Sequence, residues 1–275
     1  MMRKMKKNSI NISLVLSLTF LGIVTLGALL AGVSPHDPNK VDLLSKFLPS
    51  SAGHWFGTDN FGRDYFTRIL YGGRVSLSVG ALSMLVSMTF GTLYGIISGS
   101  SGRFIDSLMM RLVDILMAVP SFLLIITLNV YLNASLATTV LTISMFSWMG
   151  VARIVRAEVL SLRERDFILA AKGLGAGKGW IIFRHMIKNV SSSVLVAATN
   201  SIASAILTES SLSYLGFGIK IPNASWGGML ESAQTFILTR PILAVYPGLC
   251  ILLTVLSFNV LGTSLRTILD PKSKR

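Results

Sequence analysis

The chain has 275 residues, 52% of them hydrophobic and only 13% charged, with a net charge of +13. An ordinary soluble domain carries about 25% charged residues, so this balance excludes a typical water-soluble enzyme and points to a membrane protein. The one cysteine, Cys250, excludes a disulfide framework within the chain.

Five uncharged stretches follow in chain order: Ile10–Val33, Val75–Gly102, Ile115–Ala152, Asn189–Thr208 and Pro241–Leu265. A membrane-spanning helix needs about 20 mainly apolar residues. Four runs fit one helix each. The third, Ile115–Ala152, has room for two, with the polar turn Tyr131–Ser135 between them, so six spans are expected. The first run follows the basic segment Arg3–Lys7, as a secretory signal would. At 24 residues it exceeds the about 7–15 of a signal's apolar core and reads as a retained helix.

With the amino terminus inside, 18 of the 25 Lys and Arg fall on inner segments and 7 on outer ones, which places both termini in the cytoplasm. The positive charge therefore reports topology and attraction to anionic membrane lipid. No aromatic-and-basic module accompanies it, so nucleic acid is not an expected partner.

The outer segment Ser34–Arg74 mixes acids with bases, and its "NFGRDYFTRILYGG" is expected to form an amphipathic helix on the membrane surface, held by Phe61, Tyr65 and Phe66. A structural cap on the bundle is the alternative. In the second run Gly91, Gly95 and Gly99 recur every fourth residue, giving a flat strip where another helix approaches closely. Packing within the chain and a subunit interface are both open for it. In the fifth run Asn200 and Glu209 interrupt small and apolar residues and are candidates to line a path, because ionisable groups at such depth usually face a cavity or a polar partner. Trp226 and Tyr246 read as membrane-interface anchors.

Between the fourth and fifth spans lies Ala170–Asn189, "AAKGLGAGKGWIIFRHMIKN". It fails as a phosphate-binding loop, since Lys172 stands where the first glycine is needed and Gly179 where a hydroxyl is needed. It reads instead as an elbow, with a solvated basic loop as the alternative: "RDFILAAK" forms a short helix, the glycines at 173, 175, 177 and 179 stop it, and "WIIFRHMI" resumes helically. Enzyme chemistry finds no footing. The three histidines, His36, His54 and His185, form no motif and no pair at metal-ligand spacing along the chain, so no catalytic residue and no metal site is expected. A channel would call for a filter or a ring of charges, and neither is evident.

"LAAKGLGA…IIFRHMIKN" resembles the coupling (EAA) loop of permease subunits in binding-protein-dependent ABC importers. Ala170, Ala171, Gly173 and Gly175 fall at its start and His185 and Asn189 at its end, while Leu169 and Lys188 replace the usual Glu and Pro. "HWFGTDNFGRDYFTRILYGGRVSLSVG", "SYLGFGIKIPNASWGGML" and "LGTSLRTILDP" are similar, in the same order, to segments of dipeptide, oligopeptide and nickel permeases. The resemblance implies an all-α, six-helix type I permease. Residues 1–71 would hold the first helix and an outer segment, 72–265 the permease domain with its coupling loop at about 163–189, and 266–275 a cytoplasmic tail. It implies a second permease subunit, two ATP-binding subunits that hold ATP and Mg, and an extracytoplasmic substrate-binding lipoprotein. Asp59, Arg63 and Asp64 would lie where that protein docks. The short amino-terminal region and Leu169 in "DFILAAKG" lean the expected substrate toward nickel or a metal chelate, with di- or oligopeptides as the alternative.

Overall fold

In a computed structural model, residues 2–220 and 222–269 are described, with side chains from residue 12 onward. The side chains of Arg3–Lys7, Ile221 within the third resemblance segment, and tail residues 270–275 lie outside the described residues. The described residues form helices: α1 (Met2–Leu29), α2 (Tyr65–Ser100), α3 (Arg103–Met117), α4 (Ser121–Tyr131), α5 (Leu136–Arg163), α6 (Asp166–Gly173), α7 (Lys178–Ile181), α8 (Ile187–Tyr214), α9 (Trp226–Gln234) and α10 (Ile242–Leu269). A π-helical turn, Ile182–Met186, joins α7 to α8 without a break, so Lys178–Tyr214 runs as one apolar unit of 37 residues.

Five helical units are long and apolar enough to cross a membrane, or six if the bent pair α3 and α4 counts as one. The expected pair of spans in 115–152 is thus corrected. The first of the two begins at Arg103, and it is bent by 72° at Ala118–Pro120. Pro120 has no N–H to donate and disfavours helical geometry in the residue before it, so α3 ends there. The second, α5, starts after the expected turn, where Ser135 accepts from the Thr138 N–H and Thr138 returns a bond to the Ser135 N–H.

Helix α2 is the spine, and it packs most extensively on α5. The two helices meet along Ser83, Ser87, Gly91, Gly95 and Gly99, five small residues at intervals of four, all buried. A Cβ on Gly91 would stand 2.6 Å from the Trp148 carbonyl oxygen, one on Gly95 2.6 Å from that of Ala152, and one on Gly99 2.9 Å from Val159. The strip is a contact within the chain. Such closeness matters in lipid, where apolar burial does not drive helices together and van der Waals contact must.

Nearer its start the same side of α2 meets α8 and α9. Gly80 lies under Ile206, and Gly72 and Gly73 lie under Trp226. Trp226, expected at the membrane interface, is 1% exposed, and its indole N–H donates to the Ile69 carbonyl at 3.0 Å. Tyr246, likewise expected as an anchor, stacks on Phe56 at 4.2 Å between ring centroids. The expectation for Trp226 is corrected, because its ring is enclosed by the protein, whereas Tyr246 is half-buried.

Helix α10 contains Pro247, which leaves the Leu243 carbonyl without its usual i+4 donor. The Tyr65 hydroxyl, buried at the start of α2, donates to that carbonyl at 2.5 Å. Tyr65 therefore begins a spanning helix and sits in the core with Ile69, Trp226 and Leu243. The expected surface helix over 60–73 is not formed: 60–64 is a turn and α2 runs straight on from Tyr65.

Gly95→Leu is expected to abolish the folded state or lower the thermal midpoint in detergent by at least several degrees. Gly150→Leu, at a site with nothing within 4 Å of a new Cβ, should leave it within about one degree, so comparable melting of the two variants would remove the close-packing role of the strip.

Candidate functional site

Three regions hold the polar and exposed groups of interest. The first is the segment between α1 and α2. Gly57 and Gly62 both have φ +73°, a conformation that favours glycine, and they fold 57–64 into a tight knot. Thr58 Oγ1 donates to the Ser45 carbonyl at 2.5 Å and accepts from the Leu48 N–H at 2.8 Å. The Asp59 carboxylate accepts from the N–H groups of Phe61 and Arg63 at 2.8 and 3.0 Å and from Arg63 Nε at 2.7 Å, with Arg68 Nε at 3.6 Å. Asp64 caps α2 by accepting from the Thr67 N–H at 2.7 Å, and its other oxygen meets His54 Nδ1 at 2.9 Å. Burial raises the Asp64 pKa, but hydrogen bonds from Thr67 and His54 outweigh it, and the net shift is downward. Asp59, Arg63 and Asp64 are each 5% exposed or less, so the structure corrects their assignment as docking groups. They hold the knot together from within. Arg74 joins it to α1 by donating to the Ala28 and Leu29 carbonyls at 3.0 and 2.9 Å, where the helix ends with carbonyls free.

The second region is the elbow. Helix α6 closes as a Schellman motif: the Ala176 N–H donates to the Ala171 carbonyl and the Gly175 N–H to that of Lys172, both at 3.0 Å, with Gly175 at φ +85°. Ala170 accepts from the Leu174 N–H at 3.0 Å, and Gly173 is the last residue of α6. On the return, Asn189 Nδ2 donates to the His185 carbonyl at 2.7 Å, and the His185 ring lies 5.1 Å from Trp180 and 5.7 Å from Phe167. Ile168, Ile181 and Met186 are buried beneath, against α5 and α8. The tip instead presents Leu174, 90% exposed, and Phe183, 78% exposed, with Phe167, Leu169 and Trp180 around them. The structure thus brings the elbow residues together as a firmly based knob with an apolar crown.

At the same end of the bundle the helix ends are clamped by charge. Asp106 accepts from Arg156 through both oxygens at 2.6 Å and from Ser98 Oγ at 2.6 Å. Arg163 donates to the carbonyls of Gly99 and Ser101 at 2.8 and 3.1 Å, and Arg153 pairs with Asp114.

The third region is the face of α8. Asn200 is exposed and opens on a cavity of about 610 Å³ with Glu158, Ser192, Ser193, Val196 and Arg266. Glu209 does not share it. It is fully buried and accepts from Ser213 Oγ at 2.8 Å and Ser76 Oγ at 3.0 Å. Ser225 Oγ donates to Ser213 Oγ at 3.4 Å, and the Trp226 N–H donates to Ser76 Oγ at 3.3 Å. Glu209 is thus the hub that ties α2, α8 and α9 together, and its candidacy as a path-lining group is corrected. The serines carry no sequence signal beyond the N-cap position of Ser225 before α9. One further correction concerns the histidines. His36 and His54 lie apart along the chain, yet their rings come within 4.9 Å in space.

Comparison with known proteins agrees with this arrangement. Residues 91–275 match the family described as "Binding-protein-dependent transport system inner membrane component". The chain is 41% identical over 273 residues to the dipeptide transport system permease protein DppC of Alkalihalophilus pseudofirmus, covering 99% of this chain and 89% of that one. The chain belongs to the binding-protein-dependent ABC importer permeases. The permease is also 39% identical to the oligopeptide transport system permease protein OppC of Bacillus subtilis, covering 94% and 87% of the two chains. It is 42% identical to the glutathione transport system permease protein GsiD of Pectobacterium atrosepticum, covering 82% and 75%. These are names of peptide and glutathione permeases. The expected lean toward nickel or a metal chelate gains no support from them, and the peptide alternative fits better.

Replacing Glu209 by Ala would leave the Ser76 and Ser213 hydroxyls buried without their shared acceptor, at a cost of about 1–3 kcal/mol. Glu209→Ala is expected to melt several degrees below wild type and Glu209→Gln, which keeps an acceptor oxygen, in between. Wild-type stability of both variants in a detergent melt would show that the hub holds nothing.

Proposed function

We propose that this permease forms one half of the translocation path of an ATP-driven importer for short peptides, with both termini in the cytoplasm. A second permease subunit completes the path. Two ATP-binding subunits holding ATP and Mg seat the α6–α7 knob, and an extracytoplasmic binding protein delivers the substrate. The observation that carries the coupling role is the knob itself. It exposes Leu174, Phe183 and Trp180 while its base is buried and its turn is fixed by Gly175. A surface of that kind suits docking into a cleft, because large apolar side chains at the centre of an interface supply most of its binding energy. Transmission of ATPase closure then needs a rigid lever and no catalytic group, the logic of rigid-body allosteric motion. The charge clamp of Asp106 with Arg156 and the contact of Arg163 with α2 would make the ends of α2, α3 and α5 move as one body.

The similarity to dipeptide, oligopeptide and glutathione permeases supports peptides as the cargo. The open face carries the neutral polar groups Asn200, Ser192 and Ser193 with one acid, Glu158, and one base, Arg266, a set that suits hydrogen bonding to peptide backbone and to both charged ends of a peptide. The test is ATP-dependent uptake by the assembled transporter in proteoliposomes. Labelled dipeptides, oligopeptides, glutathione, free Ni2+ and chelated Ni2+ would be offered side by side. Peptide accumulation with nickel ignored is expected, and nickel accumulation with peptides ignored would overturn the substrate assignment.

Gly175→Val forces a β-branched residue into a left-handed conformation, a strain of about 1–2 kcal/mol. It should reduce ATP-coupled uptake at least tenfold while the subunits still copurify; full uptake would remove the knob from the coupling path.

A further inference from the structure

The segment leading from α1 toward α2 brings together three side chains that neither the importer reading nor the packing employs jointly as ligands. His36, His54 and Asp64 each place one nitrogen or carboxylate oxygen within 4.8 Å of the others. His36 Nε2 lies 2.8 Å from the Gly53 carbonyl oxygen. A carbonyl can only accept, so Nε2 carries the hydrogen and Nδ1 of the neutral ring keeps its lone pair. His54 Nδ1 faces the Asp64 carboxylate at 2.9 Å, so these two atoms stand side by side as a ligand pair, the metal taking the place of the hydrogen between them and the ring hydrogen lying on Nε2. An imidazole oriented by a backbone carbonyl, as His36 is by that of Gly53, is a common arrangement around protein-bound metals, because the outer hydrogen bond sets the tautomer and the basicity of the ligating nitrogen.

The cluster is accessible. His36 and His54 are half-buried and Asp64 is buried. His36 and Asp64 open on a cavity of about 470 Å³ shared with Ser34, Gly53, Trp55 and Thr67. Its frame is pinned by Ser34 Oγ against Thr67 Oγ1 at 2.6 Å and by the Asp64 cap on α2. Ligands on a tetrahedral zinc with bonds of about 2.1 Å stand about 3.4 Å apart, which lies inside the observed spread of donors. Imidazole nitrogen with a carboxylate favours a borderline transition-metal cation over Mg2+ or Ca2+, which prefer all-oxygen sets.

We propose that His36, His54 and Asp64 form a binding site for a divalent transition-metal cation of the zinc class, with a fourth position open to the cavity. The ion staples the chain leaving α1 to the 51–54 loop and to the first turn of α2. It is a resident of the 34–64 segment and not cargo, because its ligands lie in that segment and none belongs to the Asn200 cavity. Coordination takes up the lone pairs of the ring nitrogens and a carboxylate oxygen, with no oxidation or reduction.

The experiment uses the assembled transporter, freed of any polyhistidine tag, in nanodiscs. After equilibration with Zn2+ and removal of excess, metal is counted by mass spectrometry for wild type, His36→Ala and His54→Ala. Wild type should hold one zinc per copy of this chain more than either variant, or bind it at least tenfold more tightly. Co2+ loaded in its place should give d–d absorption that both variants lose. The variants are expected to lose the zinc-dependent rise in thermal midpoint that wild type shows. His36 carries no cap or ion pair, so His36→Ala keeps the test valid if His54→Ala disturbs the Asp64 contact. Equal zinc content and equal affinity in wild type and His36→Ala would overturn the site. Peptide uptake is scored separately, so failure of the importer reading would leave the zinc count unaffected.

Discussion

Inside a bilayer a polar group has no water to turn to and must be satisfied by the protein, and this constraint explains how the helices of the permease are tied. Proline in α10 deprives the Leu243 carbonyl of its donor, and Tyr65 at the head of α2 supplies one. A carboxyl group in α8 is buried, and serines from α2 and α8 converge on it, with the Ser225 cap of α9 behind them. Arg74 answers the free carbonyls at the end of α1. The bonds made by Tyr65, Ser76 and Arg74 join elements far apart in sequence, so satisfying the polar groups also fixes which helices are neighbours. Hydrophobic burial could not do this alone, since lipid tails solvate leucine as well as another helix does.

Between these ties, helix approach is set by the absence of side chains. The four-residue repeat on α2 lets the backbone of α5 come within contact of glycine Cα atoms, while Gly72, Gly73 and Gly80 do the same toward α9 and α8. One helix is thus in close contact with three others at successive heights, and α2 becomes the centre of the bundle with a different set of ties at each end. One end is locked to the knot of 57–64, and the other is clamped by Arg156 and Arg163 beside the elbow. A lever needs this stiffness: a displacement at the knob reaches the far end of α2 only if the intervening contacts do not yield.

The legible part of the sequence was the part governed by local rules. Apolar run lengths located the helices, and the glycine spacing located a close-packed face. The elbow followed from glycines after a good helix former, and Gly175 has the left-handed conformation that such a stop requires. The misread parts share a cause: they depend on partners distant in sequence. Asp59, Arg63 and Asp64 look like surface charge in a hydrophilic stretch, and only the fold shows that each carboxylate faces a buried donor. Trp226 matches the statistics of interface anchors, yet its indole N–H is claimed by Ile69. Glu209 was correctly singled out as anomalous in an apolar run, but an ionisable group at depth faces either a cavity or a polar partner. The serines that decided between them recur throughout the chain without distinction. The break at Pro120 was within reach of local reasoning, since proline ends helices, and was hidden only by the unbroken hydropathy around it.

The substrate lean toward nickel fails for a physical reason that reaches beyond this chain. It rested on the short amino-terminal region and on Leu169, and Leu169 lies half-exposed on α6 among the side chains of the knob. Leu169 is not among the residues that line the Asn200 cavity. If the knob docks a partner as proposed above, sequence likeness at that element carries information about the partner and none about cargo. Around Asn200 the cavity carries Ser192, Ser193, Glu158 and Arg266, with no imidazole or thiolate among its lining groups. A bare transition-metal ion would call for imidazole or thiolate ligands in such a place. Among the described residues the imidazoles that cluster, His36 and His54, sit instead in the segment before α2. The histidines and the path are separate features, and a cation on the first would say nothing about what moves through the second.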